Sequence, residues 1–148
     1  MEENKVKFGL RKITTTQFAT IDSVEIDVQS IKLNFGFGFG INEANRLLGC
    51  AAKFEFLSNG MPFIVLSLTC DFEIESETWD SFIHTDSNTI VFPLSMVTHL
   101  AVLAVGTARG VLHAKTENTK YNQYFLPTIN VTDNIKEDIV IALGLDVN

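Results

Sequence analysis

Apolar and polar residues alternate without a break from position 31 to position 41. Ile31, Leu33, Phe35, Phe37, Phe39 and Ile41 fall on one side, and Lys32, Asn34, Gly36, Gly38 and Gly40 on the other. Successive strand side chains point to opposite faces, so this is a strand with one apolar face. Three glycines on the opposite face mark close packing or twist, or alternatively a contact surface. Asn42-Glu43-Ala44-Asn45 reads as a turn, and a second strand follows over residues 46–57, with Leu48, Cys50, Ala52, Phe54 and Phe56 as its apolar side. Ser58-Asn59-Gly60 is a hairpin signal. Pro62 then opens a third strand to about Glu75, where Ile64, Leu66, Leu68, Cys70, Phe72 and Ile74 alternate with Val65, Ser67, Thr69, Asp71 and Glu73. For the apolar faces to coincide, even residues must oppose even residues, which brings Cys50 beside Cys70 on the core face.

The first thirty residues are less regular. Val6, Phe8 and Leu10 alternate, and so do Val24, Ile26 and Val28 with Glu25 and Asp27 between them. These predict two short extended segments, with a bend or bulge around Thr14-Thr15-Thr16-Gln17.

The period changes after Phe92-Pro93, where Pro suits the first position of a helix. Residues 93 to about 114 carry two apolar rows. One holds Leu94, Val97, Ala101, Ala104, Ala108 and Val111, and the other Met96, Leu100, Leu103 and Thr107. A third stripe, Ser95, His99, Val102, Gly106, Arg109 and His113, is itself only partly polar. The apolar arc exceeds the ~100° that covers one sheet, so the helix needs a second covered side. Another subunit is the simplest cover, since obligate interfaces resemble a core cut in half. Met96, Leu100, Leu103, Gly106, Thr107 and Arg109 are the candidate interface residues. The window from Leu94 to Val105, interrupted by Ser95, Thr98 and His99, reads as too short to span a bilayer.

A polar connector follows, with Tyr121, Tyr124 and Phe125 before Leu126-Pro127. At the end, Asp133 or Asn134 can cap a short helix that buries Ile135, Ile139, Ala142 and Leu143, with Gly144 as its terminator. The expected fold class is α+β: a four-stranded antiparallel sheet, one long helix and one short C-terminal helix, in a single domain over residues 1–148. Segregated strands and helices exclude a doubly wound parallel sheet.

Charge and composition narrow the function. The formal net charge is −7 over 148 residues, with no basic cluster, which argues against nucleic acid and against an anionic membrane surface as partners. Met1-Glu2-Glu3-Asn4-Lys5 lacks the pattern of a secretory leader, so the expected location is cytoplasmic. Cys50 and Cys70 are then expected as reduced thiols. They form no CxxC, and the three histidines stand at no ligand spacing from them, so neither a metal nor a cofactor is implied. His99 and His113 lie about 21 Å apart along the helix and cannot share a metal. The G-x-G-x-G run is not a dinucleotide-binding turn. No Ser-His-Asp, Cys-His or paired-carboxylate set assembles, so the chain does not read as an enzyme. Trp79 and Phe82 sit in an acidic connector, where a Trp covers the end of a core or anchors a partner.

Phe72-Glu73-Ile74, Ile90-Val91-Phe92-Pro93, Arg109-Gly110, Leu126-Pro127 and Asn130-Val131 occur in the order and spacing that resembles the SecB family of bacterial protein-export chaperones. The resemblance implies cytoplasmic holdases that assemble as dimers of dimers, long helices inside and sheets outside. It also implies binding of unfolded polypeptide along apolar grooves, with Trp79, Phe82, Tyr121, Tyr124 and Phe125 as candidate client contacts. The family hands its clients to the export motor SecA through acids on the outer sheet. Val65 stands where one of those acids is expected, although Asp71 and Glu73 remain, so SecA docking is not carried over. The alternative is a non-catalytic adaptor with one specific partner, as in relatives that serve a toxin's antitoxin.

Overall fold

The structure, a computed structural model, describes residues 7–144. Val6 and the N-terminal residues without a leader pattern lie outside the described part. Strands β1 (Phe8–Thr20), β2 (Ile31–Asn42), β3 (Leu47–Ser58) and β4 (Met61–Ile74) form an antiparallel sheet in the order β1-β4-β3-β2. A short helix α1 (Ser76–Ser81) and strands β5 (Ile83–His84) and β6 (Thr89–Phe92) lead into helix α2 (Leu94–Thr116). A four-residue strand β7 (Ile139–Ala142) closes the described chain. The α+β arrangement of a four-stranded antiparallel sheet followed by a long helix is the expected one.

Local chemistry explains the sheet. Asn59 and Gly60 take φ values of 49° and 80°, as a tight hairpin turn requires, and they set the β3–β4 register. Cys50 pairs directly with Cys70. A bulge after Phe56 inserts Phe63, so Phe63 and Ile64 are both buried. β1 carries register shifts at Leu10/Lys12 and Thr15/Gln17, so Thr14 to Gln17 lie within one long bulged strand. Residues 24–28 do not join the sheet despite their alternation. The chain must instead cross from the β1 edge to the β2 edge at this point.

The core lies between this sheet and α2. Phe54, Phe63, Phe72 and Phe92 are fully buried, each contributing on the order of 2–3 kcal/mol of transfer free energy. From α2, Val97, Leu100, Ala101, Ala104, Val105, Ala108 and Leu112 press against β3 and β4.

Two expectations are corrected. The terminal helix is absent. A 3-10 turn (Val131–Asp133) is followed by extended chain, and Ile139–Ala142 pairs antiparallel with β6, Phe92 opposite Ile139 and Ile90 opposite Ile141. Three consecutive β-branched residues, Ile139, Val140 and Ile141, are stiff at χ1 and suit a half-buried strand. The open flank of β6 supplies their hydrogen bonds. Asp138, just before this strand, accepts a hydrogen bond from the Leu94 amide at 2.8 Å and so caps α2 from a distance. Pro93 is correspondingly the residue before the helix, with ψ 144°, rather than its first residue.

The second correction concerns length. The helix as a whole, Leu94–Thr116, is long and apolar enough to cross a membrane. Its inner face is packed as in a core helix, while Ser95, His99, Val102, Leu103, Gly106 and Gly110 are exposed.

Candidate functional site

Three surfaces stand out. The first is the outer stripe of α2, where Ser95, His99, Val102, Leu103, Gly106, Gly110 and His113 face solvent. Val102 is 51% and Leu103 39% exposed. A Cβ placed on Gly106 or Gly110 would meet nothing within 4 Å, so the middle of the helix presents bare backbone between apolar side chains. On β1, Leu10 and Ile13 stand opposite Phe72 and Cys70, on the helix side of the sheet, and both are exposed.

The second surface is the edge of β2. This strand ends the sheet order and, among the described residues, is paired only with β3. It runs twelve residues without a bulge or a proline. Ile31, Leu33, Phe35, Phe37, Phe39 and Ile41 all point to the helix side and are only partly buried. Beside its middle lies a cleft of about 490 Å³ between Gly36, Phe37 and Phe39 and the segment from Asp133 to Ile139. On the other face, Gly36, Gly38 and Gly40 meet nothing within 4 Å, so close packing is not what requires these glycines.

The third surface is an aromatic group at the hairpin end of the sheet. Phe63 meets Tyr124 edge-on at 5.2 Å, and Phe56 lies 6.1 Å from Tyr124 and 6.2 Å from Phe63. The Tyr121 hydroxyl donates to the Asp22 carboxylate at 2.5 Å across 99 residues of sequence. That hydrogen bond, with burial second, pushes the Tyr121 phenol up to about 12. Burial and then the neighbouring Cys70 push the Cys50 thiol up to about 12. Cys70 is raised by burial, which the Thr107 hydroxyl bonding to it opposes.

The residues singled out from sequence divide accordingly. Trp79 is buried, lying edge-on at 5.7 Å from Phe92, and Phe82 meets the same ring at 5.7 Å, so both cover the small second sheet, in the order β5-β6-β7. Tyr121 is buried as well. Tyr124 is half-buried and Phe125 is 55% exposed, stacked on His113 at 6.1 Å. Leu100 belongs to the core and is corrected as an interface residue, because it lies on the sheet-facing side of α2. Met96 and Thr107 are half-buried. Arg109 donates to the Leu126 and Pro127 carbonyls at 2.9 and 2.8 Å, so its guanidinium anchors the chain's own connector. Leu103 and Gly106 remain open. Missed from sequence were the β2 edge, Phe63, and the exposed Leu10 and Ile13. The edge was the findable one, since its strand pattern is the strongest in the chain.

The outer sheet face is mixed in charge. Glu55 sits opposite Val65 with Lys53 3.9 Å away, and Arg11 pairs with Glu73 at 3.1 Å. Such exposed pairs contribute little energy but break up any acidic field. Among the described residues no group of His, Cys, Asp or Glu is arranged to hold a metal ion.

These features define an α+β chain in which, among the described residues, one face of the long helix and the β2 edge of the sheet are uncovered. No protein-family profile matches the chain, and no curated protein does. Among solved structures it is similar to the Rv1957 SecB-like chaperone of Mycobacterium tuberculosis, solved in complex with a ChAD peptide from the Rv1956 HigA1 antitoxin. The TM-score is 0.51 at 8% identity, covering 84% of this chain and 91% of that one. The fold is therefore SecB-like.

Proposed function

We propose that this chain is a SecB-like holdase that captures non-native polypeptide in extended form. The observation that carries this reading is the β2 edge: a long, unprotected strand with a row of half-open phenylalanines on one side and a cleft alongside. Such an edge is normally blunted by charge, proline or a bulge. Left open, it accepts an added strand, whose main chain supplies affinity while alternate side chains enter apolar pockets. Tyr124, beside Phe56 and Phe63, and the exposed Phe125 add apolar contact at the connector, and Trp79 and Phe82 drop out because they are spent on the second sheet.

The α2 stripe of Val102, Leu103, Gly106 and Gly110, with Leu10 and Ile13 of β1, is the surface on which copies of this chain assemble, as a dimer or a dimer of dimers. Its location is the cytoplasm. Export through SecA is not part of the proposal, because the outer face is mixed in charge and carries Val65. The antitoxin peptide bound by the Mycobacterium neighbour favours a second reading, an adaptor dedicated to one polypeptide client.

Suppression of aggregation tests the proposal. A chemically denatured client diluted into stoichiometric protein should aggregate more slowly, and no delay with any of several clients would sink the holdase. Protection of one client alone would select the adaptor.

A further inference from the structure

Residues 22–28 read Asp-Ser-Val-Glu-Ile-Asp-Val, an alternating strand pattern that belongs to no strand. The segment crosses the hairpin end of the sheet on the helix side. Its path is fixed by Ser58, which lies at an even position of β3 in line with Phe54 and Phe56 and is buried. The Ser58 hydroxyl donates to the Glu25 carbonyl at 3.3 Å and accepts from the Asp27 amide at 2.8 Å. Val24 and Ile26 pack against the core, while Val28 beyond them is 73% exposed. One end is tied by the Ile21 amide to the Phe63 carbonyl at 3.0 Å. Close by, Asp22 accepts from Tyr121. The crossing therefore lies at the end of the sheet that holds Phe56 and Phe63, with the Phe63–Tyr124 contact beside it.

We infer that this segment is a resident pseudo-client: it fills the hairpin end of the polypeptide groove that begins at the β2 edge, and an incoming chain displaces it. The inference rests on the holdase reading. It deepens that reading by naming what the groove takes, an extended peptide with aliphatic side chains two residues apart. The physical ground is the mode of attachment. A wall of the groove would be built into the sheet by a ladder. This segment is instead held by the Ser58 and Ser30 hydroxyls, one phenol, the single Ile21–Phe63 backbone bond and two aliphatic side chains, which another extended chain can replace in kind. A groove with an internal competitor also rejects weak clients, because each must first match the bonds it breaks.

Hydrogen exchange on the full chain tests this, with reduced, carboxymethylated α-lactalbumin as the unfolded probe. Saturating probe should speed exchange of the Asp27 and Ser30 amides about tenfold or more. Unchanged or slower exchange over residues 21–30 would make the segment a fixed wall and overturn the inference. Asp22→Ala with Tyr121→Phe removes the phenol bond at the Asp22 end of the segment, and should tighten probe binding roughly threefold to tenfold, one hydrogen bond's worth. A peptide copying residues 22–30 should compete with the probe, and a scrambled copy should not. Probe binding by the wild type with no tightening in the double variant and no opened amides would leave the holdase and remove the pseudo-client. Probe binding by the double variant alone would support it. Binding by neither would remove both.

Discussion

Cys50 and Cys70 face each other across β3 and β4, fully buried, and both thiols are held above their ordinary range. A thiol must ionise to react, so burial protects both from oxidants and alkylating agents. At pH 8, native protein should titrate with no thiol in an aromatic disulfide assay, and denatured protein with two. A fast native reaction would show that the sheet opens locally. The sign of the linkage follows from the raised values. Both groups are neutral and stabilising below the usual thiol range, and that contribution is lost as pH climbs above it, for Cys50 on the way to about 12. The Tyr121 phenol behaves alike from a higher start, since its bond to Asp22 holds it protonated until about pH 12.

At the scale of elements, the end of the chain shows how tertiary structure overrides a local pattern. Asp138 serves α2, so Asp138→Ala should leave the Leu94 amide uncapped and cost about 1 kcal/mol. Thermal unfolding measures it, and an unchanged midpoint would show that water caps as well. β2, the Asn59-Gly60 turn and the Cys50–Cys70 pairing were legible because each rests on a strict local rule, alternation or turn chemistry. β7 was not. Its four residues fit a helical row as well as a strand, and the decision lies with β6, nearly fifty residues upstream. Residues 24–28 failed in the opposite direction. Their period is right for a strand, but the crossing from one sheet edge to the other leaves them no ladder. Of the candidate site, Tyr124 and Phe125 stayed available while Trp79, Tyr121 and Leu100 turned inward, because an aromatic or aliphatic residue in sequence does not announce which side it packs.

For the whole molecule, the uncovered stripe of α2 is the surface proposed for assembly. A partly exposed apolar helix face of this kind in a −7 chain favours association, which the net charge opposes. Leu103→Asp sits on that face at 39% exposure and should change monomer stability by no more than about 0.5 kcal/mol. In light scattering it should shift an oligomer towards smaller species. A wild type that scatters as a clean monomer would contradict the assembly surface.

The sheet order β1-β4-β3-β2 has a further consequence, for synthesis. β2, β3 and β4 meet their neighbours through short turns, but Phe8 waits for Ile74. As the chain leaves the ribosome, β1 emerges first and finds its place last, since distant pairings form late. Weakening β1, for instance by Phe18→Ala opposite Leu66, should therefore speed unfolding more than it slows refolding in stopped-flow chevrons. Until β4 arrives, a nascent chain of this fold is itself a client for a holdase.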